Sequence, residues 1–174
     1  MANTTGKFGV KPYGPAILPP VVFDVDPAAT AIYQNDCVKL VADQGVAQDT
    51  AGSEASIGIA IGFFDATGAP KKYYPAGSAT GWKCVVQLAV PGQLFQVKST
   101  TALTAADVGT CADLVAGTGS TVTMQSGGYI DTVGTSTAQF KILGLAETEG
   151  NAWGANQDVI VCFNEGMLLK TAGV

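Results

Sequence analysis

"IGIAIGFFDATGAPKKYYPAG", residues 57–77, decides how the chain is read. Ile57, Ile59, Ile61 and Phe63 alternate with Gly58, Ala60, Gly62 and Phe64. That is the period of a half-buried strand and not the 3.6-residue period of a helix. The spacing predicts a core face made by the isoleucines. The glycines opposite leave room for another backbone or an interlocking side chain. "DATGAP" supplies a turn, and Tyr73–Tyr74 with Pro75 form the outgoing edge, the two tyrosines pointing to opposite faces. The stretch reads as a hairpin that transmits load near a subunit contact, with no active-site chemistry in it.

The same alternation recurs along the chain. "CVKLVAD" (37–43) sets Val38, Leu40 and Ala42 on one face, and "GWKCVVQLAV" (81–90) sets Trp82, Cys84, Val86 and Leu88 opposite Lys83, Val85 and Gln87. Pro91–Gly92 followed by "QLFQVKS" (93–99) reads as a second hairpin. "TAQFKILGLAE" (137–147) and "QDVIVCFNE" (157–165) are the clearest later strands. Between them, residues 99–136 are rich in Thr, Ala, Ser and Gly. "TAADVGTCADLV" (104–115) offers one short helical turn capped by Thr104. No amphipathic helix of three turns stands out. Short strands punctuated by Gly and Pro predict a mainly β chain: a single β-sandwich or barrel domain over residues 28–174, with long loops.

Residues 1–27 form a different zone, an extended Pro-rich N-terminal arm. Five of the eight prolines fall here, at 12, 15, 19, 20 and 27, and proline fixes φ and removes a donor. Apolar groups punctuate the zone: Phe8, Val10, Tyr13, Ile17, Leu18, Val21, Val22 and Phe23. Two readings stand, an arm folded back on its own domain and an arm laid across a neighbouring subunit.

Composition narrows the functions. The chain has 174 residues and 47% apolar against 13% charged residues, about half the usual charged share. A chain of this length buries roughly 70% of its unfolded surface, and so sparse a charge predicts further area covered by partners. All nine basic residues are lysines, histidine is absent, and the net charge is −5. Without arginine or a basic cluster beyond Lys71–Lys72, nucleic-acid binding is not expected. No apolar run reaches the ~18 residues that span a membrane, and no signal peptide is read at the N-terminus, so the chain is expected to be made in the cytoplasm.

Catalytic and metal chemistry find little to stand on. Without histidine, Ser–His and Cys–His nucleophiles are excluded. "GTGS" (117–120) lacks the Gly-Lys-Ser/Thr of a phosphate loop and reads as an ordinary loop. Cys37, Cys84, Cys111 and Cys162 contain no C-x-x-C pair, so they read as buried thiols or as one or two disulfides. Asp24 with Asp26 and Glu147 with Glu149 read as solvated charges, against a carboxylate hydrolase or a calcium site. No catalytic residue, cofactor or metal is predicted.

Binding has better candidates. Trp153 in the polar loop "EGNAWGANQD", with Tyr73 and Tyr74, suits either an anchor in its own domain or an interface. The order "AIYQNDCVKLV", "IGIAIGFFDATGAPKKYYPAG", "QLFQVKS" and "TAQFKILGLAETEGNAWGANQDVIVCFNE" resembles the capsid decoration (cement) proteins of tailed bacteriophages, of the marine and cyanobacterial podovirus-like type. The resemblance covers roughly residues 31–165 and departs from the pattern in the arm and in "GMLLKTAGV". It implies a β-rich, commonly trimeric, non-enzymatic protein on the outer surface of an icosahedral capsid. Such a protein bridges capsomers against internal DNA pressure and meets the major capsid protein and its own copies at three-fold positions. On that basis the predicted interface comprises Phe8, Val10, Tyr13, Ile17, Leu18, Val21, Phe23, Tyr73, Tyr74 and Trp153. The competing reading is a lectin-like adhesion module that stacks sugars on Trp153 and the tyrosines.

Overall fold

The computed structural model describes residues 3, 6–42, 45–50, 56–134, 138–166 and 168–169. Parts of the predicted arm, the end of the predicted 37–43 strand and most of "GMLLKTAGV" lie outside the described residues. The strands are β1 (Val10–Tyr13), β2 (Val21–Val25), β3 (Ile32–Tyr33), β4 (Cys37–Leu40), β5 (Gly45–Gln48), β6 (Ser56–Phe64) and β7 (Pro70–Lys71). They continue as β8 (Tyr73–Tyr74), β9 (Lys83–Leu88), β10 (Leu94–Lys98), β11 (Cys111–Val115), β12 (Tyr129–Val133), β13 (Phe140–Leu145) and β14 (Asp158–Phe163). The expected helical turn is a single 3-10 turn, Ala105–Asp107. Thr104 and Asp107 cap each other's backbone N–H groups at its start.

Five strands close into a barrel in the order β4–β5–β2–β9–β6, with β6 pairing back to β4, and β7 hangs on β6 as a hairpin. Among the barrel's described strand pairings, β2–β5 alone is parallel. Closure removes most sheet edges. Val25, Val38, Val46, Ile57, Ala60, Phe63, Cys84 and Val86 fill the interior. Cys84 and Val86 share that face as their alternation predicts.

The other large sheet is antiparallel throughout, in the order β1–β10–β14–β13–β11–β12. A bridge between Ser99 and Ile130, with Thr100 N–H donating to the Ile130 carbonyl at 3.1 Å, curls β12 back toward the end of β10. Phe95, Val97, Phe140, Ile142, Val159, Val161 and Phe163 form its core. Cys37 and Ile59 of the barrel also pack into this second core. Buried polar groups tie the halves together as well. Ser56 donates to Asp49, and Gln139 Nε2 donates to Asp49 Oδ2 at 3.2 Å.

The central strand departs from simple alternation. Ile57, Ala60 and Phe63 point into the barrel, whereas Ile59 points the other way, into the second core. Two register shifts cause this: against β4 the pairing skips Ile57, and against β9 it skips Ile61. Each extra residue rotates the strand, so that one strand feeds two cores. The predicted isoleucine face is therefore divided, and Ile61 is only half-buried.

Two further expectations are corrected. Residues 81–99 are no hairpin: β9 belongs to the barrel and β10 to the second sheet, so Pro91–Gly92 marks the crossover between them. The arm boundary at residue 27 marks no break either. β1 pairs with β10 from Val10↔Val97 to Tyr13↔Leu94, and β2 pairs with β9 from Val21↔Val86 to Asp24↔Lys83. The proline-rich segment is extended, as its composition requires. It docks on its own domain because alternate apolar groups, Val10 and Val25, complete the two cores.

Candidate contact surface

Between β1 and β2 the chain carries "GPAILPP" (14–20), where proline prevents a continuous strand. Two buried glutamines pin its backbone. Gln93 Oε1 accepts from Ile17 N–H at 2.9 Å, and Gln87 Nε2 donates to the Leu18 carbonyl at 3.2 Å. With the backbone fixed from below, the side chains project outward. Ile17 is 52% exposed, Leu18 43%, Val21 38% and Val22 53%. Scattered exposed apolar residues are ordinary, but four within six positions make an apolar ridge along the segment, with Val22 on the outer face of β2 and Val21 on the other face, paired with Val86.

The ridge adjoins the β2–β5 seam. Among the described residues β2 meets β5 at Asp24↔Gly45 and Val25↔Val46. Val25 N–H donates toward β9, to the Trp82 carbonyl at 2.9 Å, whereas Asp26 N–H donates toward β5, to the Val46 carbonyl at 3.0 Å. Alternation along the strand then turns the polar backbone groups of Val22 away from β9. A groove of about 490 Å³ lies there, lined by Val22, Phe23, Asp24, Leu40 and Val41. An apolar ridge beside such a groove suits an extended partner segment whose apolar side chains bury against it.

The ten predicted interface residues divide. Ile17, Leu18 and Val21 stand on the ridge, with Phe23 half-buried beside the groove. Val10 and Tyr74 are corrected, because both are buried in the cores. Tyr74 meets Trp82 edge-on, with ring centroids 5.4 Å apart, and its hydroxyl donates to the Pro27 carbonyl at 3.3 Å. Burial raises its pKa above the ordinary tyrosine value. Trp153 is half-buried and packs against the second core, so it anchors its own loop. Asn151 braces that loop through Nδ2 to the Ala146 and Asp158 carbonyls, both at 2.8 Å, and Asn3 docks on it at Ala152 and Ala155. Phe8 is half-buried beneath the Lys11 ammonium, 4.6 Å from the ring centroid, and Tyr13 is half-buried opposite Leu94. Tyr73 stacks on Tyr33 at 5.3 Å on a different part of the surface.

Sequence reasoning left Val22, Gln87 and Gln93 out of the interface. The signal for Val22 was present in "ILPPVV", where apolar residues flank prolines that cannot continue a buried strand. The glutamines' role depends on which loop lies over them, and alternation carries no such information.

The carboxylate pairs do not form a site. Asp24 pairs with the Lys83 ammonium, Asp26 accepts from Ala28 N–H at 2.9 Å, and Glu147 and Glu149 are exposed. In "GTGS", a side chain at Gly119 would meet the Tyr33 ring at 2.1 Å, so that glycine serves close packing. Comparison with protein families, curated proteins and solved structures finds no match for this chain.

Proposed function

We propose that the chain is a structural, non-enzymatic virion protein that decorates the outer surface of an icosahedral phage capsid and cements neighbouring capsomers. The ridge Ile17–Leu18–Val21–Val22 carries this reading, because its backbone is held by buried side chains while its apolar groups face solvent. Removing such groups from water contributes about 25 cal/mol per Å² of apolar area buried. Repetition over many copies turns a modest contact into large shell stability. The partners in this reading are the major capsid protein and further copies of the chain, arranged as a homotrimer at three-fold or quasi-three-fold positions. The order of its sequence stretches resembles that of cement proteins, and an acidic chain without arginine suits a position away from the genome.

Because β1 and β2 are built into their own sheets, the proposed cementing element is the ridge and not a strap formed by the whole segment. The test uses shells of the encoding phage stripped of this protein. Wild-type protein is expected to co-sediment with them and to appear as outer-surface density in cryo-electron microscopy. A Leu18→Asp/Val22→Asp double variant is expected to lose attachment while unfolding at an unchanged temperature. Absence of the chain from purified virions, or undiminished attachment of the double variant, would overturn the proposal.

A further inference from the structure

A second concavity lies at the β6–β7 hairpin, with a volume of about 380 Å³, inside the ~300–1,000 Å³ range of small-ligand sites. Tyr73 and Trp82 form its aromatic walls, with Pro75 and Met124 beside them and Asp65, Lys71 and Lys72 around them. Both rings are held from behind. Tyr73 stacks on Tyr33 with planes 8° apart, and Trp82 meets Tyr74 at 84°. Met124 reaches the site from a loop in which its backbone adopts φ 59°, with its N–H donating to the Ser120 carbonyl at 2.7 Å. A non-glycine residue holds that conformation only where its surroundings enforce it.

The charges are uneven. Asp65 Oδ1 accepts from Thr67 Oγ1 at 2.6 Å and from the N–H groups of Thr67 and Ala69, both at 3.0 Å. These bonds, the Thr67 hydroxyl first, hold its carboxyl down at about 2, so it stays an ionised acceptor. Its Oδ2 lies 3.3 Å from the Lys71 ammonium. Lys72 is exposed and has no ion pair among the described residues. A protein of net charge −5 thus places an unmatched ammonium beside two fixed aromatic rings.

From this juxtaposition we infer that the groove binds an acidic saccharide, one that carries carboxylate or sulfate groups. The apolar face of a pyranose ring stacks on Trp82 and Tyr73, its acid group meets Lys72, and the Asp65–Lys71 pair offers an acceptor and a donor to its hydroxyls. An acidic peptide fits less well. The flanking β7 is two residues long and begins with Pro70, which has no N–H to donate to an added strand. This site is separate from the ridge and does not depend on how the chain attaches to a particle.

The test is titration of the intact protein with an oligogalacturonate, followed by calorimetry and by the indole N–H resonances, assigned with Trp153→Phe. Expected are saturable binding in the millimolar range or tighter, movement of the Trp82 resonance and not of Trp153, and weakening by added salt. Lys72→Glu, at an exposed position, is expected to bind about tenfold more weakly with its backbone spectrum otherwise unchanged. Neutral cellotetraose is expected to leave the Trp82 resonance in place. No saturable binding, equal affinity in Lys72→Glu, or equal binding of poly-L-glutamate or cellotetraose would overturn the proposal.

Discussion

Lys98 and Asp158 face each other across β10 and β14, with Nζ 2.6 Å from Oδ1 and the lysine side chain only 2% exposed. The ammonium also donates to the Asn156 carbonyl at 3.0 Å, and Gln96 Nε2 donates to Asp158 Oδ2 at 3.1 Å. The two charges are not equally trapped, since the Asp158 side chain is 17% exposed and can rehydrate. Asp158→Ala, which leaves a deeply buried cation, is expected to cost about 3–5 kcal/mol. Lys98→Met should cost less, and the double replacement Lys98→Met/Asp158→Leu less than the sum of the singles. Urea denaturation of the three variants measures this. Equal losses in the two single variants would show that burial does not set the energetics.

Gly58 and Gly62 lie four residues apart on β6 in opposite circumstances. A Cβ at Gly58 would stand 2.2 Å from the Gln87 carbonyl oxygen and 2.9 Å from Val86 Cγ1, whereas one at Gly62 would meet nothing within 4 Å. Backbone cannot yield as a flexible side-chain end can. Gly58→Ala is therefore expected to cost about 3 kcal/mol or more, and Gly62→Ala to fall within about 0.5 kcal/mol of wild type. Thermal unfolding of the pair, each with an otherwise identical background, decides it. A Gly58→Ala protein as stable as Gly62→Ala would contradict the close strand approach.

These two glycines also show where sequence reasoning succeeds and stops. Local alternation marks β6 as a strand and "DATGAP" as its turn, and the close approach it predicts at both glycines holds at Gly58 and fails at Gly62. It cannot reveal that Ile57 and Ile61 are bulged, because a bulge is set by the registers of β4 and β9, which lie far away in sequence. Pro91–Gly92 shows the same limit. The turn is legible, but whether the chain reverses within one sheet or crosses to another depends on which core Phe95 and Val97 fill. Of the contact surface, the apolar character of Ile17, Leu18 and Val21 was legible. The burial of Val10 and Tyr74 was not, since an apolar residue in an extended segment suits a core and an interface alike.

Cys111 and Cys162 flank Lys141 in one row across β11, β13 and β14. Two strand spacings separate their Cα atoms by about 10 Å, beyond the roughly 7 Å that a disulfide spans. Burial raises the Cys162 thiol while the Lys141 charge opposes that rise, and both thiols are only half-buried. Cys37 and Cys84 are buried, and burial pushes both far above the usual thiol range. A thiol-exchange reagent at pH 8 is expected to modify Cys111 and Cys162 in the native protein, and Cys37 and Cys84 only after denaturant is added. Peptide mapping after mild oxidation should find no Cys111–Cys162 bond within one chain. Early labelling of Cys84 would refute the assignment.

Asp36 lies buried beside the barrel, its Oδ2 accepting from Tyr33 N–H at 2.7 Å. Burial raises its pKa from 3.8 to about 6, against hydrogen bonds from Ser126, Tyr33 and Gln48 that lower it. Because the folded-state value lies above the unfolded one, the neutral carboxyl is the form the fold favours. Its contribution is complete below about pH 4 and is lost as pH rises through about 6. Two pKa units correspond to a loss of about 3 kcal/mol across that window. Asp36→Asn keeps an oxygen acceptor for the Tyr33 N–H and removes the ionisation. The variant is therefore expected to gain on wild type from about pH 4 to about pH 6 and to hold that advantage at pH 7. Melting temperatures of both proteins across that range test the claim, and parallel curves would rule out Asp36 as the source of any pH dependence.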